Sequence, residues 1–316
     1  MAQPISEKKR IYKLHKKNKV KLSGWDIAFN VFNYTILTLF TVACIFPFYY
    51  LFINTISSNE LVRLGAIQLF PKEIHLENYI QVLKIDGIAE AALVSVGRTV
   101  LGTIWTVAGC AFLGYLVTKR EMWLRTLWYR LIIVTMYFSA GLIPWYMNLR
   151  MLGFVDNFFV YIIPGLVSPY NVILVKTFIE GVPSSLEESA TIDGAGYFTV
   201  FCKVIVPLIT PILATLCIFS AVGQWNSFTD TLMLMPSGNY YTLQFLLYKY
   251  QREAQSLAAL VRTTQDVGAI SNLAIKQTAL SVQMTVAMVV VIPILLVYPI
   301  FQRYFVKGIM IGAVKG

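Results

Sequence analysis

The chain has 316 residues, 57% of them hydrophobic and 13% charged, with a mean hydropathy of +0.65. Soluble domains carry about 25% charged residues, and here the apolar residues gather into long charge-free runs, so the composition excludes an ordinary soluble domain and points to a polytopic membrane protein. The formal net charge of +10 is concentrated in a basic tail abutting a membrane segment, which argues for lipid and not nucleic acid as its partner.

That tail holds Lys8, Lys9, Arg10, Lys13, Lys16, Lys17, Lys19 and Lys21. Residues 1–25 therefore read as a cytoplasmic N-terminal tail and residues 26–316 as the transmembrane part. The start does not read as a cleavable signal, because its apolar run is too long and no A-x-A site follows. A bilayer-spanning helix needs about 20 largely apolar residues. Stretches 27–56, 91–117, 128–149, 158–178, 207–234 and 278–303 meet that length, so the prediction is all-α with six transmembrane helices. Pro47, Pro144, Pro164, Pro169, Pro211 and Pro293 lie in or near these spans and are expected to kink them.

Positive charge marks cytoplasmic loops. The tail, the loop with Lys119, Arg120 and Arg125, and the end with Arg303, Lys307 and Lys315 fall on one side if there are six spans. Both termini are then cytoplasmic in a bacterial plasma membrane. Residues 235–277 begin with a Met-Pro-Ser-Gly-Asn turn cluster. The stretch from Thr242 to Lys276 is expected to be partly helical and to lie outside as a surface element, either touching a docked protein or simply solvated. Cys44, Cys110, Cys202 and Cys217 read as small buried residues, and His15 and His75 are isolated, so no metal site or His-based catalytic group can be assembled.

The polar loop between the fourth and fifth spans stands apart. Glu187 to Pro207 reads EESATIDGAGYFTVFCKVIVP. Ser185 and Glu188 fit a Ser-x-x-Glu capping box. A short helix is predicted over 186–192, stopping at Asp193-Gly194, where glycine accepts the left-handed conformation. Tyr197, Phe201 and Val204, at spacings of four and three, predict a second helical piece, and Pro207 suits the first turn of the next helix. Asp193 is expected to bond the turn backbone, while for Glu188 capping and docking are both open. The loop falls on the cytoplasmic side yet leans acidic, so its carboxylates need a reason other than topology.

Glu188-Ser189-Ala190-Thr191-Ile192-Asp193-Gly194-Ala195, followed by Val204-Ile205-Val206-Pro207, resembles the EAA loop of binding-protein-dependent ABC importer permeases, with Ser189 where the family has Ala. Gly223-Gln224-Trp225-Asn226-Ser227-Phe228 resembles the G-x-W-N-x-F signature of the carbohydrate permeases. The ending from Gln302 to Gly316 resembles the tail of the maltose-type inner subunit and its polysaccharide-transporter relatives. The resemblance covers roughly residues 26–316. It implies a type I ABC importer permease whose coupling loop, residues 184–207, seats on a cytoplasmic ATPase through Glu188, Ala190, Asp193, Gly194, Ala195 and Pro207. It further implies a second related permease, an ATPase dimer, and an extracytoplasmic binding protein that delivers an oligosaccharide. No G-x-x-x-x-G-K-[ST] phosphate loop is present. ATP and Mg are thus expected in the partner ATPase, with no enzymatic activity and no cofactor in this chain.

Polar side chains in membrane helices face the bundle interior, which makes Gln224 and Asn226 candidates for the substrate path, with Trp225, Tyr137, Tyr146, Tyr161 and Tyr170 as aromatic candidates. Arg98, about 10 Å below the outer end of its helix, has two open readings. It snorkels or pairs with Glu90 or Glu60, or it faces the path and favours acidic sugars through bidentate contact with a carboxylate. Two rival functions are an ion-coupled secondary transporter, against which the near absence of acids from the helix centres weighs, and a non-transporting scaffold.

Overall fold

A computed structural model of the chain describes residues 23–263 and 281–296, and divides between Ile53 and Asn54 into two units. The first is formed by α1 (Gly24–Thr55) without its last turn. Its 32 residues rise about 48 Å, more than the roughly 30 Å hydrocarbon layer needs. Thr35 and Thr41 donate to the carbonyls of Val31 and Leu37 one turn back, so their hydroxyls stay satisfied inside an apolar helix.

The second unit is built around α4 (Ile88–Leu116), which follows the short helices α2 (Asn59–Arg63) and α3 (Glu77–Leu83). One stripe of α4 is small. A Cβ at Gly102 would meet the Gln224 amide at 2.6 Å, one at Gly109 would meet the Leu166 carbonyl oxygen at 2.8 Å, and one at Gly114 would meet Val175 at 2.7 Å. Such residues let helices approach closely in a membrane, where packing replaces the hydrophobic drive. Along this stripe lie α7 (Pro169–Ile179) and α10 (Thr210–Asn226).

The single helices predicted over 128–149 and 158–178 are corrected by the structure. The first is α5 (Arg125–Tyr137) and α6 (Leu142–Met151), bent by 120°. Phe138 is extended and Gly141 has φ +88°, after which Pro144 sits in the first turn of α6. The second is a 3-10 turn (Phe158–Tyr161), a non-helical run, and α7 with Pro169 at its start. Non-helical backbone at membrane depth must find partners in protein. Here Thr106 donates to the Gly165 carbonyl at 2.8 Å, and the Cys110 thiol lies 3.7 Å from the Ser168 carbonyl and takes the Ser168 amide at 3.3 Å. By length and composition α1 and α4 each suffice to cross a membrane, and two bent pairs could add one span each. The sixth predicted span is described only as α13 (Ser281–Leu296).

The predicted fifth span also divides. The polar loop folds as α8 (Ser185–Ile192) and α9 (Tyr197–Leu208), and α9 meets α10 at an 83° bend. Pro207 lies in the last turn of α9, and it is Pro211 that occupies the first turn of α10. The chain breaks again at Ser227–Phe228 before α11 (Thr229–Leu234). The expected surface helix is α12 (Leu243–Thr263). Its start is core, because Leu243, Leu246 and Leu247 are buried with Val82, Ile88, Ala91, Val286 and Val290. The Leu243 amide, an orphan donor at a helix start, is taken by the Ser95 hydroxyl of α4 at 2.8 Å. Residues 264–276 of that expected helix, the basic tail and the C-terminal motif lie outside the described residues.

Candidate functional site

Two places on the second unit combine the residues singled out by sequence. The first is the α8–α9 corner. The capping box is not formed: the N-cap is Ser184, in helical geometry and without a side-chain bond, and Ser185 is already in the helix. The acids Glu187 and Glu188 stand in the first turn, where negative charge suits the helix dipole. At the other end Gly194 has φ +84°. The Gly194 amide donates to the Thr191 carbonyl at 3.0 Å, and the Ala195 amide reaches the Ala190 carbonyl at 3.0 Å. This pair of bonds is a Schellman motif, and the accompanying apolar contact is supplied by Ala190 and Ala195, both packed on the first core cluster. The turn bond expected from Asp193 is not made, since backbone amides close the turn and the carboxylate is exposed.

The corner is tied to α4. Lys119, just past the end of α4, forms an ion pair with Glu187 and lies 4.1 Å over the Tyr115 ring. The Tyr115 hydroxyl donates to the Tyr197 carbonyl at 3.3 Å, and Phe201 meets Phe112 and Tyr115 at 5.4 and 5.2 Å between ring centres. Outward the corner presents Glu188 with Leu186, Ile192, Tyr197 and Phe198, and Ile192 is 85% exposed. An apolar side chain so exposed, flanked by acids, is a surface suited to a partner. Sequence reasoning missed Glu187 and Lys119, although the excess of acids on a basic side was the available signal.

The second place is a cleft of about 400 Å³ between α4, the start of α7 and the end of α10. Arg98, Thr106, Gly165, Ser168, Tyr170, Asn171, Phe219, Ser220, Gly223, Gln224 and Ser227 line it. Arg98, 3% exposed, does not pair with Glu90 or Glu60. Its partner is Asp230, bound bidentately, with Nη1 to Oδ1 at 3.0 Å and Nη2 to Oδ2. Nε donates to Gln224 Oε1 at 3.0 Å, Nη1 also reaches the Ser227 carbonyl at 3.2 Å, and the guanidinium sits 4.4 Å over the Tyr161 ring. Four of the five guanidinium N–H groups are thereby used. α4 carries Arg98 to the break between α10 and α11, where freed carbonyls and Asp230 converge. Asp230 also accepts from the Thr231 amide at 2.9 Å and the Ser227 hydroxyl at 3.3 Å.

The other candidates separate. Gln224 is in the cleft wall, bonded to Arg98 and, through Nε2, to the Tyr161 carbonyl at 3.1 Å. Tyr170 is half exposed at the cleft. Trp225 points elsewhere, donating to the Val290 carbonyl at 3.0 Å. Asn226 ends α10, exposed and outside the cleft lining, and Tyr137 is 79% exposed at the end of α5. Tyr161 packs behind Arg98 and its hydroxyl donates to the Tyr240 carbonyl at 2.7 Å. Asp230 was missed, yet it is the sole carboxylate within the six predicted spans. A buried arginine in one span requires a partner of opposite charge, and that requirement could have singled it out.

Residues 22–311 match the family described as binding-protein-dependent transport system inner membrane component. The chain is 31% identical over 288 residues to the polygalacturonan/rhamnogalacturonan transport system permease protein YtcP of Bacillus subtilis (strain 168), covering 91% of this chain and 98% of that protein. It is 32% identical to Protein LplC of the same strain, covering 91% and 95%. Among solved structures it is similar to a bacterial ABC transporter involved in the import of the acidic polysaccharide alginate, with a TM-score of 0.78 and 28% identity, over 91% of this chain and all of that one.

Proposed function

The chain belongs to the binding-protein-dependent transport system inner membrane components, and from that membership we propose that it is one permease half of an ATP-driven importer of acidic oligosaccharides. It pairs with a second, related permease in the lipid bilayer. A cytoplasmic ATPase dimer, which binds ATP and Mg, docks on the α8–α9 corner. An extracytoplasmic binding protein delivers the sugar, and both termini are cytoplasmic. The observation that carries the reading is the corner itself. A helix closed by its own backbone and pinned to α4 exposes Leu186, Glu188 and Ile192 outward, as a stiff coupling element must. The substrate class is supported by two relatives whose named substrates, polygalacturonan and alginate, are polymers of uronic acids.

The test is ATP-dependent uptake into proteoliposomes holding the full importer, with trigalacturonate offered against a neutral trisaccharide. Accumulation of the acid that requires ATP and the binding protein supports the proposal. Uptake driven by an ion gradient without ATP points to a secondary transporter, and uptake confined to neutral sugars overturns the acidic class.

A further inference from the structure

Asn171 is 7% exposed, lines the cleft, and has no hydrogen-bond partner among the described residues. Ser220 of α10 is also in the lining, and its hydroxyl is buried without a partner among the described residues. Buried polar groups are ordinarily satisfied, so the unpaired Ser220 hydroxyl, beside an amide that makes no bond within the described residues, marks a place where something else supplies the bonds. Two neighbouring polar side chains are already engaged: Thr106 bonds the Gly165 carbonyl, and Gln224 is held at both ends of its amide. The space is at the small end of ligand pockets, which run from about 300 to 1,000 Å³, and far exceeds the roughly 30 Å³ share of a single water.

The electrostatics define what fits. Arg98 is the sole Lys, Arg, Asp or Glu among the lining residues, and Asp230 neutralises it. The cleft therefore offers a primary amide, with paired donors and an acceptor, and a hydroxyl that can donate or accept. Adjacent hydroxyls on a sugar ring present the matching pattern, while Tyr170, half exposed at the rim, offers a flat apolar face. A carboxylate finds no free cation here.

We propose that Asn171 and Ser220 form a subsite in this subunit that binds the ring hydroxyls of the passing sugar and is indifferent to its carboxylate. The proposal rests on the reading that the chain carries oligosaccharides. Charge selection then belongs elsewhere in the importer.

The experiment uses the full importer in proteoliposomes and two substrates with the same ring hydroxyls, trigalacturonate and its methyl ester. Asn171→Ala and Ser220→Ala are each expected to lower uptake of both, by the same factor of about three to ten, the size of one lost hydrogen bond. Wild-type uptake in both variants, or a loss confined to the acid, overturns the subsite. Ser220→Ala removes a single oxygen and carries the test alone if Asn171→Ala does not assemble. Should the wild-type importer carry neither substrate, the acidic-sugar reading falls, and the same variants are measured on whichever neutral oligosaccharide it does carry. A loss there keeps the subsite, unchanged uptake removes it, and an importer that carries no sugar removes both readings.

Discussion

Arg98 holds a full positive charge at 3% exposure, and Asp230 opposite it is 13% exposed. Removing one member of a buried pair strands the other charge, at a cost of about 3–5 kcal/mol, whereas replacing both by apolar residues is often close to neutral. Arg98→Gln and Asp230→Asn are each expected to lower the denaturation midpoint of the purified protein sharply. The double change Arg98→Met with Asp230→Leu should recover most of that loss. An additive loss in the double variant would show that the two side chains act independently. The same geometry bears on selectivity, because a guanidinium with both Nη atoms on Asp230 is not free to grip a substrate carboxylate.

The α8–α9 corner, proposed above as the coupling element, depends on one backbone angle and one ion pair. A Cβ at Gly194 would meet nothing within 4 Å, so the first carbon of a side chain there carries no clash. The cost of Gly194→Val includes the left-handed backbone, roughly 1–2 kcal/mol and more for a β-branched residue. The expected result is a permease that inserts normally but loses transport, with Gly194→Asn recovering part of it because Asn visits that region more readily. Wild-type transport by the valine variant would sink the coupling role. The two neighbouring acids divide the work, since Glu187 turns inward to Lys119 while Glu188 is exposed. Glu188→Lys should weaken retention of the ATPase in a low-salt pull-down while the permease pair stays assembled. Unchanged retention would reduce Glu188 to a helix-start charge.

At the scale of the molecule, α4 links the two sites. Its C-terminal end bears Tyr115 and Phe112 against α9, with Lys119 just beyond on Glu187, and Arg98 stands 17 residues earlier than Tyr115, about 25 Å along the axis. One continuous helix thus connects the corner to the cleft. The small stripe of α4 keeps that helix against α7 and the non-helical run before it. Gly109→Leu is expected to abolish assembly, because even a Cβ there would press on the Leu166 carbonyl, which is backbone and cannot swing away. Gly223→Ala, where a Cβ meets nothing within 4 Å, should keep the yield of folded protein. Equal yields from the two variants would remove close packing as the reason for the stripe.

What the sequence determined by itself was whatever depends on neighbours along the chain. The membrane character follows from charge-free runs, and the helix stop at Asp193-Gly194 follows from the one residue type at ease with positive φ. The helix–turn–helix shape of residues 185–208 was legible for the same reason, since its offsets span a few residues. Pro164 and Pro169 were read as kinks, but whether such a site bends a helix or breaks it depends on whether partners exist for the freed backbone. Thr106 and Cys110, more than 50 positions earlier, supply them. The partner of Arg98 was equally out of reach, because Glu90 and Glu60 are near in sequence and Asp230 is near only in space. The burial of α12 needed α3, α4 and α13 to be in place, and the Ser220 hydroxyl, unpaired among the described residues, is recognisable only once the neighbours that could have bonded it are known. Only the tertiary structure decides such things, because the energy of a buried polar group is set by the atoms packed around it and not by the residues beside it in the chain.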